Sequence, residues 1–268
     1  MRSRLRESVI APAMAIVATL AVFTAIGGLL VLLEPRSPSP ASPDTGLLAA
    51  PPGPTTVPPG RYGSGTLGPW QNLLRRITPD DEVRDVLTFN GIFMFGDSIA
   101  VQDSAALERL LTDRTGESIA IHDWSGQPAS AAVDALAEWS RDYGLPRRIV
   151  MAVGTNDIFD PPAFAAQVER ALRIAGPDRT VYWVDVYVAR TKQPDAIRDA
   201  DLANSTWINQ QLQDAALRHP NLRIIDWSGF LMSQPDRPAE YLRDGVHTSR
   251  PAGGAARNEL IADALQSR

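Results

Sequence analysis

The stretch "FMFGDSIAVQD", residues 93–103, decides how the rest of the chain is read. Its apolar opening reads as the end of a buried strand, and the residues from Ile99 to Leu111 have helical spacing. Gly96, Asp97 and Ser98 stand between the two. Asp and Ser before a helix are ordinary capping residues, because their side chains accept from the first free N–H groups. The same position gives a serine hydroxyl the positive end of a helix, where developing negative charge is stabilised. Gly96 permits the sharp turn from strand to helix.

Outward from this stretch, short apolar runs alternate with amphipathic ones. Strands are expected at residues 92–95, 118–122, 148–153, 180–184 and 222–225, with helices at 99–111, 129–143, 162–174, 200–218 and 252–265. Such alternation predicts an α/β/α sandwich around a five-stranded parallel sheet in flavodoxin-like order 2-1-3-4-5. Residues 70–87 read as a helical lead-in without chemistry. In open parallel sheets, ligands sit beyond the carboxyl ends of the strands at the switch in strand order. The segments at those ends are "GDS" (96–98), "DWSGQ" (123–127), "GTND" (154–157) and, after a long loop, "DGVH" (244–247). Order 2-1-3 flanks Ser98 with Gly126 and Asn156, and the loop after the fifth strand is long enough to return Asp244 and His247 to it.

Each piece also has a plain reading. Gly126 and "GTND" suit turns, and His247 suits an exposed loop. Their chemical reading is oxyanion donation by the Gly126 N–H and the Asn156 amide, with His247 as a base near neutral pH and Asp244 fixing its tautomer. Asp157 is expected to brace its turn, His122 to satisfy backbone groups, and His219 to cap helix carbonyls. The spacing around Ser98 is not the G-x-S-x-G elbow of α/β-hydrolases.

Composition narrows the chemistry. A formal net charge of −5 argues against a nucleic-acid partner. The chain has no cysteine, which removes disulfides, thiolate metal sites and a cysteine nucleophile, and its three histidines are far apart in sequence. No metal or organic cofactor is expected. Arg2, Arg4 and Arg6 precede an apolar run from Val9 to Leu33, long enough for a bilayer-spanning helix and too long for a typical cleaved signal. Residues 1–33 therefore read as a single-pass signal anchor with a cytoplasmic N-terminus. Residues 34–69, rich in Pro, Gly, Ser and Thr, read as a disordered tether, and 70–268 as an extracytoplasmic catalytic domain.

Taken together, Gly96-Asp97-Ser98, Gly126, Gly154-x-Asn156-Asp157 and Asp244-x-x-His247 resemble the four blocks of the SGNH (GDSL-like) hydrolase superfamily. Ile99 stands where many members have Leu. The resemblance covers residues 90–266. It implies Ser98 as nucleophile, His247 as base and Asp244 as its orienter. It also implies an oxyanion hole from the Ser98 and Gly126 N–H groups and Asn156. "VYWVDVYVAR", "WINQQL", "NLRIIDWSGF" and "YLRDGVHTSRPAGGAARNELIADAL" are similar to the extracytoplasmic domain that ends acyltransferase-3 fusion proteins, peptidoglycan O-acetyltransferases among them. The resemblance implies an acyl-serine enzyme acting on an ester-bearing small molecule, lipid or envelope glycan. It is an esterase if water resolves the intermediate. It is an O-acyltransferase, with a membrane partner delivering the acyl donor, if a sugar hydroxyl does. A catalytically silent envelope-binding module is the alternative from another class.

Overall fold

The computed structural model describes residues 60–266. Among them a six-stranded sheet runs β1 (Arg75–Ile77), β3 (Ile119–Trp124), β2 (Ile92–Gly96), β4 (Arg148–Ala152), β5 (Thr180–Val184), β6 (Leu222–Ile225). β2 to β6 are parallel and follow the expected order 2-1-3-4-5. The expectation of five strands is corrected by β1, which pairs antiparallel with β3 and lies inside the segment read as a helical lead-in. Three residues, two of them arginines, carry no strand periodicity, so pairing with β3 rather than local pattern makes this strand. The helical part of that lead-in is α1 (Asp80–Thr88).

The central strands β2, β4 and β5 are buried on both faces, which is why their sequences are almost continuously apolar. Phe93, Phe95, Ile149, Met151, Val181 and Trp183 face one core, packed by α3 (Ala129–Asp142), α4 (Phe164–Ala175) and α5 (Asp195–Arg218). Ile92, Met94, Val150, Ala152, Tyr182 and Val184 face the other, under α2 (Ser98–Thr115), α6 (Trp227–Met232) and α8 (Ala252–Gln266). A short helix, α7 (Arg237–Tyr241), leads into the loop bearing Asp244 and His247.

Register levels the functional end of the sheet. Gly96 pairs with Asp123 on one side and Ala152 on the other, so the loops after β2, β3 and β4 begin at one height. A Cβ on Gly96 would lie 2.1 Å from the Ala100 Cβ and 2.6 Å from Asp123 Oδ1. Only glycine lets the end of β2 pass between α2 and β3 here.

Residues 60–69, read as the end of the tether, pack on the domain. Ser64 is buried, its hydroxyl accepts from Asn204 Nδ2 at 2.8 Å, and its carbonyl accepts from Arg190, itself paired with buried Asp201 at 2.7 Å. The expected spanning segment and the rest of the tether lie outside the described residues. Among the described residues no helix is long and apolar enough to cross a membrane.

Because a methyl at Gly96 has nowhere to go, Gly96→Ala is expected to destabilise the fold by about 1–3 kcal/mol. Urea unfolding of variant and parent measures it; an unchanged midpoint would mean that β2 and α2 part without cost.

Candidate active site

The capping residue of α2 is Asp97 rather than Ser98: its carboxylate accepts from the Ile99 N–H at 3.0 Å. Burial raises its pKa above the ordinary carboxylate value. With the cap supplied by its neighbour, Ser98 becomes the first helical residue, and its hydroxyl stands 2.9 Å from His247 Nε2. These residues lie 149 positions apart in sequence. His247 Nδ1 lies 2.9 Å from Asp244 Oδ2, while Asp244 Oδ1 accepts from the N–H groups of Val246 at 3.1 Å and His247 at 2.8 Å. Partial burial opposes the Asp244 carboxylate. The hydrogen bonds from the His247 backbone and ring outweigh it and hold the pKa below the usual carboxylate range. An ionised carboxylate only accepts, so Nδ1 carries the proton and Nε2 of the neutral ring is left to accept from Ser98.

The other pair arrives from the neighbouring strands. Gly126 and Asn156 line the same open cleft as Ser98 and His247, a space of about 540 Å³. Gly126 has φ of +78°, and a Cβ there would come within 2.8 Å of the Trp70 Cβ. The Asn156 amide donates to the Gln127 carbonyl at 3.1 Å, which sets its rotamer and leaves its second N–H for the cleft. The Ser98 N–H belongs to the first turn of α2, where N–H groups have no intrahelical acceptor. The structure thus gathers Ser98, His247, Gly126 and Asn156 around one cleft, with Asp244 behind the imidazole.

Several residues of the site escaped the sequence reading. Gln127 is fully buried; its Nε2 donates to the Gly96 carbonyl and so ties the Ser98 turn to the loop carrying Gly126. Its place directly after Gly126 was the available signal. Thr248 donates to Asp103 Oδ2 at 2.7 Å, and Gln102 Nε2 donates to the Thr248 carbonyl at 3.1 Å, fixing the loop beside His247 from α2. Leu73 and Leu74, in the segment given no chemistry, form a wall of the cleft. The remaining expectations divide. Asp157 accepts from the Ala129 N–H at 2.9 Å and braces the start of α3. His122 packs against Phe95 and Trp139 with Nδ1 lacking a hydrogen-bond partner, and burial lowers its pKa. His219 meets Glu169 at 2.9 Å instead of helix carbonyls.

Beneath the turn, Asp123 is fully buried against Gly96, and burial pushes its pKa up from 3.8 to about 7. Between those values the folded chain binds more protons than the unfolded one. This carboxyl therefore favours the fold most below about pH 4 and loses that contribution as the pH climbs to about 7. Asp123→Asn is expected to raise the melting temperature relative to the parent at pH 8 and to lose that advantage at pH 4. An equal difference at both pH values in thermal unfolding would mean that Asp123 titrates as an exposed carboxyl does.

The described residues have the fold of the SGNH (GDSL-like) hydrolases. No known family profile matches the sequence. The chain is 24% identical over 190 residues, 70% of its length, to YrhL of Bacillus subtilis (strain 168), provisionally named a peptidoglycan O-acetyltransferase. It spans about a quarter of that relative, 25% of its length. Among solved structures it resembles the C-terminal catalytic domain of peptidoglycan O-acetyltransferase A from Streptococcus pneumoniae, determined with a methylsulfonyl adduct. The TM-score is 0.53 at 21% identity over 66% of this chain and 92% of that one. A lipase/acylhydrolase from Enterococcus faecalis gives a TM-score of 0.52 at 18% identity, covering 65% of this chain and 94% of that structure.

Proposed function

We propose that the chain is an envelope esterase working through an acyl-serine intermediate, with its catalytic domain held outside the membrane by the N-terminal segment. The observation that carries this reading is the unbroken line from Ser98 Oγ through the His247 ring to the Asp244 carboxylate, each contact 2.9 Å. Ser98 Oγ bonds to the ester carbonyl carbon as its proton passes to His247 Nε2. The carbonyl oxygen becomes an oxyanion held by the Ser98 and Gly126 N–H groups and the Asn156 amide. The C–O bond to the alcohol then breaks, the alcohol leaves with the His247 proton, and acyl-Ser98 remains. Water, deprotonated by His247, attacks the acyl carbon; Ser98 departs with its proton restored and the free acid is released. Ester-bearing envelope glycans or lipids are the substrate class that an extracytoplasmic site would meet.

A second reading, transfer of the acyl group to a cell-wall sugar with a membrane partner supplying the donor, is favoured by the likeness to the S. pneumoniae O-acetyltransferase domain. The two share every step up to acyl-Ser98. The likeness also lends support to an envelope location.

A fluorophosphonate probe is expected to label the wild type and not Ser98→Ala; equal labelling of both would overturn Ser98 as nucleophile, and no labelling of the wild type would leave a silent binding module as the better account. Asp244→Asn is expected to cut turnover of p-nitrophenyl acetate by up to about 10⁴ with the fold intact, since an amide no longer fixes the useful tautomer, as in the serine-protease triad. A loss below tenfold would assign the orientation of His247 to another group. Adding glycan acceptors to the same assay separates the two readings, because acetylated sugar above the hydrolytic background indicates transfer.

A further inference from the structure

The cleft around Ser98 is polarised. On the His247 side stand Arg243 and Arg250, both exposed, and among the described residues no carboxylate lines the cleft. Within the fold, Arg250 reaches only as far as the Gln102 carbonyl, 3.4 Å from its Nη2. Arg243 Nε lies 3.5 Å from Asp244 Oδ2, an oxygen already engaged by the imidazole. Neither guanidinium is paired in a bidentate fork, the geometry in which arginine binds a carboxylate or phosphate best. On the Gly126 side stand Leu73 and Leu74, 50% and 72% exposed. Leu73 Cδ1 is 3.2 Å from where a Gly126 Cβ would be. Two cations in a chain of net charge −5 are a local feature rather than the general background.

The chemistry orients a substrate between these two sides. His247 must return a proton to the departing alcohol oxygen, so the alcohol portion of the ester runs past His247 towards the arginines. The oxyanion points to Gly126 and Asn156, which leaves the acyl group on the leucine side. We propose that Arg243 and Arg250 select esters whose alcohol portion carries an anionic group, a carboxylate or a phosphate, while Leu73 and Leu74 receive a short apolar acyl group. This assignment rests on the reading of Ser98 as nucleophile and names the substrate class of that site.

The test uses the full-length chain and three acetate esters of matched shape. Their alcohols are 4-hydroxybenzoate, its neutral methyl ester, and 4-hydroxyphenyl phosphate. The quantity read is kcat/KM for each anionic ester divided by that for the neutral one, compared between the parent and Arg243→Gln/Arg250→Gln, so that differences in leaving-group reactivity cancel. The ratio is expected to fall about tenfold or more in the variant, through KM, for at least one anion. In the parent it is expected to fall with added salt, as screening predicts. The carboxylate and phosphate arms tell which anion the pair prefers. An unchanged ratio with both anions, while the neutral ester is turned over and Ser98 is labelled, overturns the anion assignment and leaves the nucleophile standing. If no ester is turned over, the nucleophile reading fails separately. Calorimetric binding of the same esters to Ser98→Ala then decides, equal affinity for charged and neutral partners overturning the proposal and tighter binding of an anion supporting it.

Discussion

Ala100 and Asp123 already occupy the place that a Cβ on residue 96 would take, and the end of β2 passes between them only because residue 96 has none. That close approach sets the start of α2 against the sheet and puts Ser98 at its first turn. It also brings the Gly96 carbonyl to the Gln127 amide, which closes the loop holding Gly126. Asn156 then takes its orientation from the Gln127 carbonyl. A single crowded backbone position thus fixes the hydroxyl and the groups facing it as one unit, before any contribution from the chain's C-terminal part.

The imidazole arrives by a different route. Its loop is held from α2, by the Asp103–Thr248 and Gln102–Thr248 contacts, and from the segment after β5, where Ala189 N–H donates to the Gly245 carbonyl at 2.8 Å. Ser98 and Gln102 lie one turn apart on the same helix, so the element presenting the hydroxyl also positions the loop presenting the imidazole. Bulk packing of two cores against the sheet supplies the rigidity this needs.

Much of this was legible in the sequence, for reasons that differ by element. Strands buried on both faces give continuous apolar runs, so 180–184 was found to the residue; the edge strand 222–225 matched as well, its Leu222 and Ile225 buried and Arg223 exposed. The meeting of Ser98, Gly126, Asn156 and His247 at one cleft was legible because parallel topology dictates where the ends of consecutive strands meet. β1 was not, since its pairing with β3 is non-local and "RRI" resembles any exposed segment. The sequence left the cap open between Asp97 and Ser98, because both residue types cap and only the backbone conformation decides that Asp97 stands outside the helix. Gln127 and Asp103 passed unnoticed because polar residues ordinarily face solvent; Gln127 had only its place after Gly126 to mark it, and nothing local announces a helical carboxylate buried to hold a distant loop.

The brevity of β1 has a consequence of its own. Without it, β3 would present a row of unpaired backbone groups along the side of the sheet next to the cleft, a template on which a strand from another molecule can add. β1 covers that row with three residues, and its Arg75 lies over the Trp124 ring while Arg76 pairs with Glu108 at 2.6 Å. So short and charged a border offers a newcomer little to extend. The segment that builds the apolar wall of the cleft thereby also guards the sheet against edge-to-edge aggregation.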